Sequence, residues 1–184
     1  MQDDLAKMLE GANINLRLLE PEDISLIYDW FNNVEFQGRF TPFMQKSYEE
    51  MKKSYSEITE DKKYFIIEKK DKIKIGIIFY FIVKGGPYNL LEIGYMMEIS
   101  ERKKGYCTEA VKLFIDYLFL STHLERIQAT TDKRNIASQK VLEKCGFTNE
   151  GTLRKPLFMK GEYVDVALFS ILRDDWKSPT ILKI

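Results

Sequence analysis

The middle of the chain contains three runs rich in β-branched and aromatic residues, separated only by short turns. The runs cover Tyr64 to Glu68, Ile73 to Val83 and Leu90 to Ile99. Residues of these types favour strands, and strands joined by such short connections pair antiparallel. The sequence therefore predicts an antiparallel meander at the centre of the fold.

After Ile99 the pattern changes, and amphipathic helices begin to alternate with strands. Helices are predicted at Thr108 to Leu120 and Asn135 to Lys144, and strands at Ile127 to Thr131, from Phe147 onward and at Tyr163 to Leu172. Gly146 suits the left-handed position that ends a helix. Antiparallel strands first and strand–helix units later together predict a mixed α/β (α+β) class.

Length and composition exclude several classes of protein. A chain of 184 residues with 45% hydrophobic content suits one domain with a sizeable core. Acidic and basic residues number 28 each, which argues against a broad nucleic-acid binder. The longest apolar run, Ile75 to Val83, is far shorter than the ~20 residues of a membrane-spanning helix. We therefore expect neither nucleic acid nor a membrane as a partner.

Cysteine and histidine are too scarce for several kinds of site. Cys107 and Cys145 lie far apart, and His123 is the single histidine. These numbers disfavour a disulfide framework, a Cys/His zinc site and a histidine-based catalytic triad. We expect a protein of the reducing cytoplasm that uses no metal.

The segment Glu98 to Ala110 is the most informative stretch, because it joins a predicted strand to the start of a helix. Free backbone N–H groups at a helix N-terminus favour an anion. Gly105 permits close approach of the backbone to that anion, and Arg102, Lys103 and Lys104 add positive charge. The loop has neither the Gly-Lys-Ser/Thr of a Walker A motif nor the three glycines of a dinucleotide fingerprint. A phosphate or pyrophosphate is the expected ligand.

Several short segments occur in an order and spacing typical of one family. They are Glu92–Tyr95, Arg102–Ala110, Asn135–Ser138, Cys145–Phe147, Glu150–Arg154 and Gly161–Asp165. Together they resemble the GCN5-related N-acetyltransferases (GNAT), and specifically the branch that acetylates ribosomal-protein N-termini. The resemblance covers residues 13 to 176, so we expect a GNAT domain there, a leader at 1 to 12 and a tail at 177 to 184.

The resemblance implies a strongly bent mixed sheet whose fourth and fifth strands splay apart to hold acetyl-CoA. The matching positions predict a set of cofactor-binding residues: Met97, Ile99, Arg102, Lys103, Lys104, Gly105, Tyr106, Cys107, Thr108, Asn135 and Ser138. Many members carry Gly at position 103 and Gly or Ala at 107, and the residues found here are tolerable if both positions keep negative φ. A helix N-terminus can lower the pKa of Cys107, although the favoured interpretation is a small residue filling a tight turn.

The resemblance also implies catalytic and acceptor-binding residues. Glu92 matches the general base of several members, and Ser138 matches a serine proposed to stabilise the leaving thiolate. Leu142 stands where much of the superfamily has its acidic tyrosine, and Leu157 where some relatives have a carboxylate. The acceptor site is expected to include Phe40, Phe43 and Tyr163, whereas Asp165 is interpreted as structural.

The predicted function is acetyl transfer from acetyl-CoA to a primary amine, by direct attack in a ternary complex. The Leu153-Arg154 and Gly161–Asp165 segments favour a protein N-terminal α-amine as the acceptor. A small amine, such as a polyamine, an amino sugar or an antibiotic, is the close alternative. The missing tyrosine and carboxylate at Leu142 and Leu157 also leave open a non-catalytic acyl-CoA-binding module. A homodimer is compatible with the resemblance, since the final hairpin often dimerises in this family.

Overall fold

The computed structural model describes residues 9–56, 59–84, 90–177, 179 and 181. Within them, eight strands form one mixed sheet in the order β1-β2-β3-β4-β5-β6-β8-β7. The strands are Leu9–Glu10 (β1), Ile14–Leu18 (β2), Lys62–Lys69 (β3), Lys74–Val83 (β4), Leu90–Met97 (β5), Arg126–Asp132 (β6), Thr148–Met159 (β7) and Glu162–Leu172 (β8). The helices are Ile24–Asn32 (α1), Val34–Gln37 (α2), Tyr48–Ser56 (α3), Tyr106–Ser121 (α4) and Ile136–Lys144 (α5), with 3-10 turns at Pro21–Asp23 and Ile99–Glu101.

The predicted meander is confirmed, because β3, β4 and β5 pair antiparallel in sequence order. The third predicted strand is shorter than expected, since β5 ends at Met97 and Ile99 begins a 3-10 turn. Of the predicted leader, residues 1–8 lie outside the described residues, while Leu9–Glu10 adds an edge strand next to β2. The mixed α/β class is therefore confirmed.

Apolar side chains pack on both faces of the sheet. On one face, α4 and α5 cover a core that includes the fully buried Phe65, Phe114 and Phe169. On the other face, α1, α2 and α3 cover a second core around Ile27 and Ile77. The fold is thus a three-layer arrangement with helices on both sides of the sheet.

The sheet opens between β5 and β6, its one parallel neighbour pair among the described strands. These strands share only two residue pairs, Leu91 with Ile127 and Glu92 with Gln128. Both strands continue beyond that point, to Met97 and Asp132. The strands predicted from sequence begin with the one observed as β2, so β1 is additional. Therefore β5 and β6 correspond to the predicted fourth and fifth strands, and their expected splaying is confirmed.

A compact ion cluster connects two of the central strands to the helix that follows β2. Asp23 is fully buried and accepts hydrogen bonds from Arg17 Nη1 at 2.7 Å and Lys74 Nζ at 2.6 Å. Burial raises the pKa of Asp23, but these bonds and the backbone N–H of Glu20 outweigh it and hold the pKa at about 2. The cluster joins β2 and β4 to the start of α1. The sequence analysis did not predict this ion cluster.

No helix among the residues described is long and apolar enough to cross a membrane.

We predict that Asp23→Asn lowers the free energy of unfolding by about 3–5 kcal/mol, because Arg17 and Lys74 lose a buried anionic partner. The pKa of Asp23 lies below its ordinary value of 3.8, so its stabilisation is present above that pH and declines as pH falls toward about 2. Urea denaturation at pH 7 and along an acid series measures both effects. Asp29→Asn, at an exposed position of α1, is the control, and equal losses in the two variants would contradict the prediction.

Candidate active site

A cleft of about 820 Å³ lies where β5 and β6 diverge. Its walls come from α2 and the loop after it, the end of β5, the loop before α4 and the first turns of α4 and α5. It brings together nine of the residues predicted from sequence: Phe40, Met97, Arg102, Lys103, Gly105, Cys107, Thr108, Asn135 and Ser138. This volume suits a large cofactor or substrate.

The open edge of β5 supplies one wall of the cleft with backbone polar groups. The N–H of Glu98 donates to the carbonyl of Ile75 on β4 at 2.8 Å. Antiparallel pairing alternates along a strand, so the backbone groups of Tyr95 and Met97 point away from β4 and toward the gap. Since β6 has already diverged there, this edge can pair with an extended ligand, although the Met97 carbonyl also accepts from Arg102 Nε.

The N-terminus of α4 faces the cleft and suits an anion. Gly105 is the cap, with φ of +90°, and no side chain among the described residues caps this 16-residue helix. A Cβ atom added at Gly105 would meet nothing within 4 Å, so the backbone stands open toward the cleft. The uncapped N–H groups at residues 106 to 108 can therefore bind a phosphate.

Lys103 adopts a left-handed backbone, with φ of +63°. The condition of negative φ is therefore not met at this position, and the loop has positive φ at both Lys103 and Gly105. A lysine there carries backbone strain that glycine would not. Lys104, its neighbour, pairs with Glu101 at 3.0 Å, so part of its charge is already neutralised.

The side chain of Arg102 connects two walls of the cleft. Its Nε donates to the carbonyl of Met97 at 3.0 Å, and its Nη2 donates to the carbonyl of Phe36 at 2.9 Å. The guanidinium thus ties the end of β5 to α2, on opposite walls of the cleft. This dual role was not apparent from the sequence, where Arg102 was predicted only as a cofactor ligand.

Cys107 lies in the first turn of α4 and lines the cleft. Burial, with a smaller contribution from Cys145, raises the pKa of the Cys107 thiol to about 12, although Arg102 acts in the opposite direction. The considered lowering of the Cys107 pKa was wrong, because burial outweighs the opposing effect of Arg102. The favoured interpretation, a small residue filling a tight turn, accords with a thiol that stays protonated.

Ser138 is held in the first turn of α5 by two partners. The side-chain oxygen of Asn135 accepts from the backbone N–H of Ser138 at 3.2 Å, which caps the helix. The hydroxyl of Tyr95 lies 2.9 Å from the hydroxyl of Ser138, across the cleft from β5. Leu142, at the position of the usual tyrosine, is fully buried in the core. Tyr95 therefore places a phenol in the cleft that sequence reasoning missed.

Glu92 sits at the vertex where β5 and β6 part. Its carboxylate accepts from Gln128 Nε2 at 2.9 Å and from Thr130 Oγ1 at 2.6 Å, both on β6. Side chains alternate along β5, so Glu92 shares a face with Met96, on the side covered by α1 and α3. It is not among the residues that line the cleft. A carboxylate offers about four lone-pair sites, so it can accept further hydrogen bonds.

The predicted acceptor residues divide between the cleft and its mouth. Phe40 lines the cleft, whereas Phe43 is 59% exposed beneath the ammonium of Lys160, which lies 4.6 Å from the ring centroid. Lys160 also donates to the carbonyls of Gly38 at 2.5 Å and Arg39 at 3.3 Å. The tip of the β7–β8 hairpin is thereby fixed to the loop that follows α2. Lys160 was not predicted.

Two further predicted residues lie on the β7–β8 hairpin and outside the cleft. Tyr163 is 62% exposed and packs edge-on against Phe158, with ring centroids 5.2 Å apart. Leu157 follows an irregularity in β7 that Asp165 stabilises, because its carboxylate accepts from the N–H of Lys155 at 3.0 Å. This contact supports the structural interpretation of Asp165.

The remaining predicted cofactor residues border the cleft without lining it. Ile99 begins the 3-10 turn after β5 and is 48% exposed, and Tyr106 is the first residue of α4. Both lie within the stretch that links the open edge of β5 to the uncapped helix.

The profile of the acetyltransferase (GNAT) domain matches residues 13–148 of the chain. The chain belongs to the GNAT family. It is therefore an N-acetyltransferase that uses acetyl-CoA.

Similar proteins include members with different acceptors. The probable N-acetyltransferase YjcK of Bacillus subtilis is 33% identical over 181 residues, which is 91% of this chain and 98% of that protein. The ribosomal-protein-S5-alanine acetyltransferase of Vibrio fischeri is similar in structure, with a TM-score of 0.81 and 28% identity over 95% of this chain and all of that one. The spermidine N-acetyltransferase of Vibrio cholerae, solved with CoA and spermine, shares the fold with a TM-score of 0.80 at 23% identity, covering 90% of this chain and 98% of that one.

We predict that Cys107 reacts slowly with iodoacetamide in the folded protein. With a pKa of about 12, its thiolate fraction at pH 8 is about a thousandfold smaller than that of an ordinary cysteine. Mass spectrometry of the tryptic peptide measures the labelling rate, and the urea-unfolded chain provides the reactive control. Labelling at the unfolded rate, or complete loss of acetyl transfer in Cys107→Ala, would contradict an inert thiol.

Proposed function

We propose that this enzyme transfers an acetyl group from acetyl-CoA to the α-amine of a protein N-terminus, in a ternary complex. The choice of acceptor rests on one observation, the charge at the mouth of the cleft. The cations there outnumber the carboxylates that remain available to an acceptor. That balance favours a peptide with one reacting amine over a polycation.

The charges at the mouth come from three elements. Arg134 pairs with Asp132 at 2.7 Å and with Glu162 at 2.7 Å, so both carboxylates are engaged within the protein and the single charge of Arg134 offsets one of the two. Arg39 and Lys160 are neighbours there, since Lys160 Nζ donates to the Arg39 carbonyl at 3.3 Å, and neither has a salt-bridge partner within the part of the chain that the structure describes. A polyamine would meet like charge at this entrance, which costs affinity.

Acetyl-CoA supplies an activated thioester in this scheme, and the residues of the chain hold it in place. The open backbone edge at Tyr95 and Met97 would pair with the pantetheine arm as an added strand does. The uncapped N–H groups at the start of α4 would bind the pyrophosphate, with Lys103 adding positive charge. The same β5 edge can donate to the thioester carbonyl and so polarise it.

Glu92 and Ser138 have different roles in the transfer, one at the acceptor amine and the other at the departing sulfur. Glu92 removes a proton from the acceptor ammonium, directly or through a water molecule, and the free amine then attacks the thioester carbon. The C–S bond breaks as the C–N bond forms, and the second amine proton leaves for the thiolate or solvent. The Ser138 hydroxyl stabilises the departing sulfur as a hydrogen-bond donor.

The neutral Leu142 and Leu157 favour a second candidate, an acyl-CoA-binding module without turnover. Neither residue can donate a proton to a leaving thiolate or accept one from an amine. Loss of turnover on mutation separates this candidate from an enzyme.

We predict that Glu92→Gln lowers kcat by about 10²- to 10⁴-fold, the usual contribution of a general base. Its affinity for acetyl-CoA stays unchanged, because Glu92 lies at the vertex of the cleft and does not line it. Steady-state kinetics and calorimetric titration with acetyl-CoA provide the two measurements. Glu143→Gln, at an exposed position of α5, is the matched control. Full activity in Glu92→Gln would rule out its role as base.

The acceptor is tested by mass spectrometry of two pools incubated with enzyme and acetyl-CoA. One pool contains N-terminal peptides of ribosomal proteins, and the other contains spermidine and amino sugars. We expect acetylation of peptide α-amines and at least tenfold lower kcat/KM for spermidine, since like charges at the entrance cost a few kcal/mol. Faster transfer to spermidine would overturn the proposed acceptor and leave the acetyltransferase assignment intact.

A further inference from the structure

We propose that Tyr95 is a positioning residue for the leaving thiolate, which it assists by donating a hydrogen bond to the hydroxyl of Ser138. The inference rests on the proposed function, since Ser138 is assigned there to the departing sulfur. It adds a residue that the family resemblance did not mark for this task. It also provides a phenol donor in a chain where Leu142 occupies the position of the acidic tyrosine found in much of the family.

The two hydroxyls are placed by different parts of the fold. Tyr95 is on β5 and its side chain packs against the core beneath α4, while Ser138 is in the first turn of α5. Their oxygen atoms are 2.9 Å apart, and the phenol oxygen also lies 3.3 Å from the backbone carbonyl of Ser138. Both residues line the cleft. The contact therefore bridges the two sides of the gap.

These distances allow two hydrogen-bond arrangements. In one, Ser138 donates to Tyr95, and Tyr95 donates to the backbone carbonyl of Ser138. In the other, Tyr95 donates to the Ser138 hydroxyl, and the Ser138 proton is free to point into the cleft. Negative charge on the sulfur favours the second arrangement, because only then can Ser138 donate to the sulfur.

Burial raises the pKa of Tyr95 above its ordinary value. The phenol therefore remains a donor throughout the reaction and does not give up its proton. The pair lowers the energy of the thiolate by hydrogen bonding alone. The proton that finally reaches the sulfur comes from the attacking amine or from solvent, so the balance of the transfer is unchanged.

The test measures the acidity of the CoA thiol in its complex with the enzyme, which requires no acceptor. The ultraviolet absorbance of the thiolate is followed from pH 6 to pH 9, with the complex of desulfo-CoA as the reference. The cysteines of the protein do not interfere, because burial holds the pKa values of Cys107 and Cys145 at about 12. We expect the thiol of bound CoA to be more acidic than that of free CoA.

Removing the phenol hydroxyl should weaken this effect. In Tyr95→Phe we expect acid dissociation of bound CoA to fall about five- to tenfold, and kcat for acetyl transfer to fall by a similar factor. The KM for acetyl-CoA stays unchanged. The effect should vanish on a Ser138→Ala background, since Tyr95 acts through Ser138.

Tyr80→Phe is the matched control. Its phenol also donates to a backbone carbonyl, that of Glu60 at 3.1 Å, and lies outside the cleft. This variant should leave the acidity of bound CoA and kcat unchanged. Thermal unfolding of both variants shows whether either change acts through folding.

Three results would overturn the proposal. The first is that Tyr95→Phe leaves the acidity of bound CoA unchanged. The second is that Tyr80→Phe changes this acidity as much as Tyr95→Phe does. The third is that the losses of kcat in Tyr95→Phe and Ser138→Ala multiply in the double variant. Failure of CoA to bind the wild-type protein would instead overturn the proposed function. If Tyr95→Phe changes the acidity of bound CoA as expected but no peptide is acetylated, the positioning role stands and only the proposed acceptor is rejected.

Discussion

The separation of β5 from β6 is the constraint on which the rest of the structure depends. The two strands pair only at Leu91 and Glu92, and each then follows a different neighbour, β4 on one side and β8 on the other. A strand edge without a partner leaves donors and acceptors unsatisfied, which is costly away from water. An extended ligand with its own amides removes that cost. The fold therefore creates a binding site by leaving a sheet incomplete.

The walls of this opening are connected to one another. Arg102 joins the end of β5 to α2, and Lys160 joins the hairpin tip to the loop after α2. The segment formed by α2 and the loop after it is thus fixed both to the loop before α4 and to the last two strands. Such bracing holds groups from distant parts of the chain in place before either substrate binds, which lowers the ordering cost of a ternary complex.

Sequence reasoning predicted the features that depend on local pattern. The meander, α4, the glycine before it, α5 and the glycine after it each follow from periodicity or from one turn's chemistry. The features it missed depend on contacts between residues distant in sequence. Tyr95 meets Ser138 across 43 positions, and Lys160 meets Gly38 across 122. The pKa of Cys107 was misjudged for the same reason, because the residues that bury it come from elsewhere in the fold. The left-handed backbone of Lys103 follows from the path of the loop, which a lysine does not signal.

The most direct test of the account is a crystal structure of the protein with CoA. The account predicts that the pantetheine arm pairs with the backbone of Tyr95 and Met97, that the pyrophosphate lies on the N–H groups at residues 106 to 108, and that the sulfur lies within hydrogen-bond reach of Ser138. CoA bound elsewhere, such as the pocket beside Tyr80 and His123, would contradict it, as would a β5 edge without contacts to the ligand.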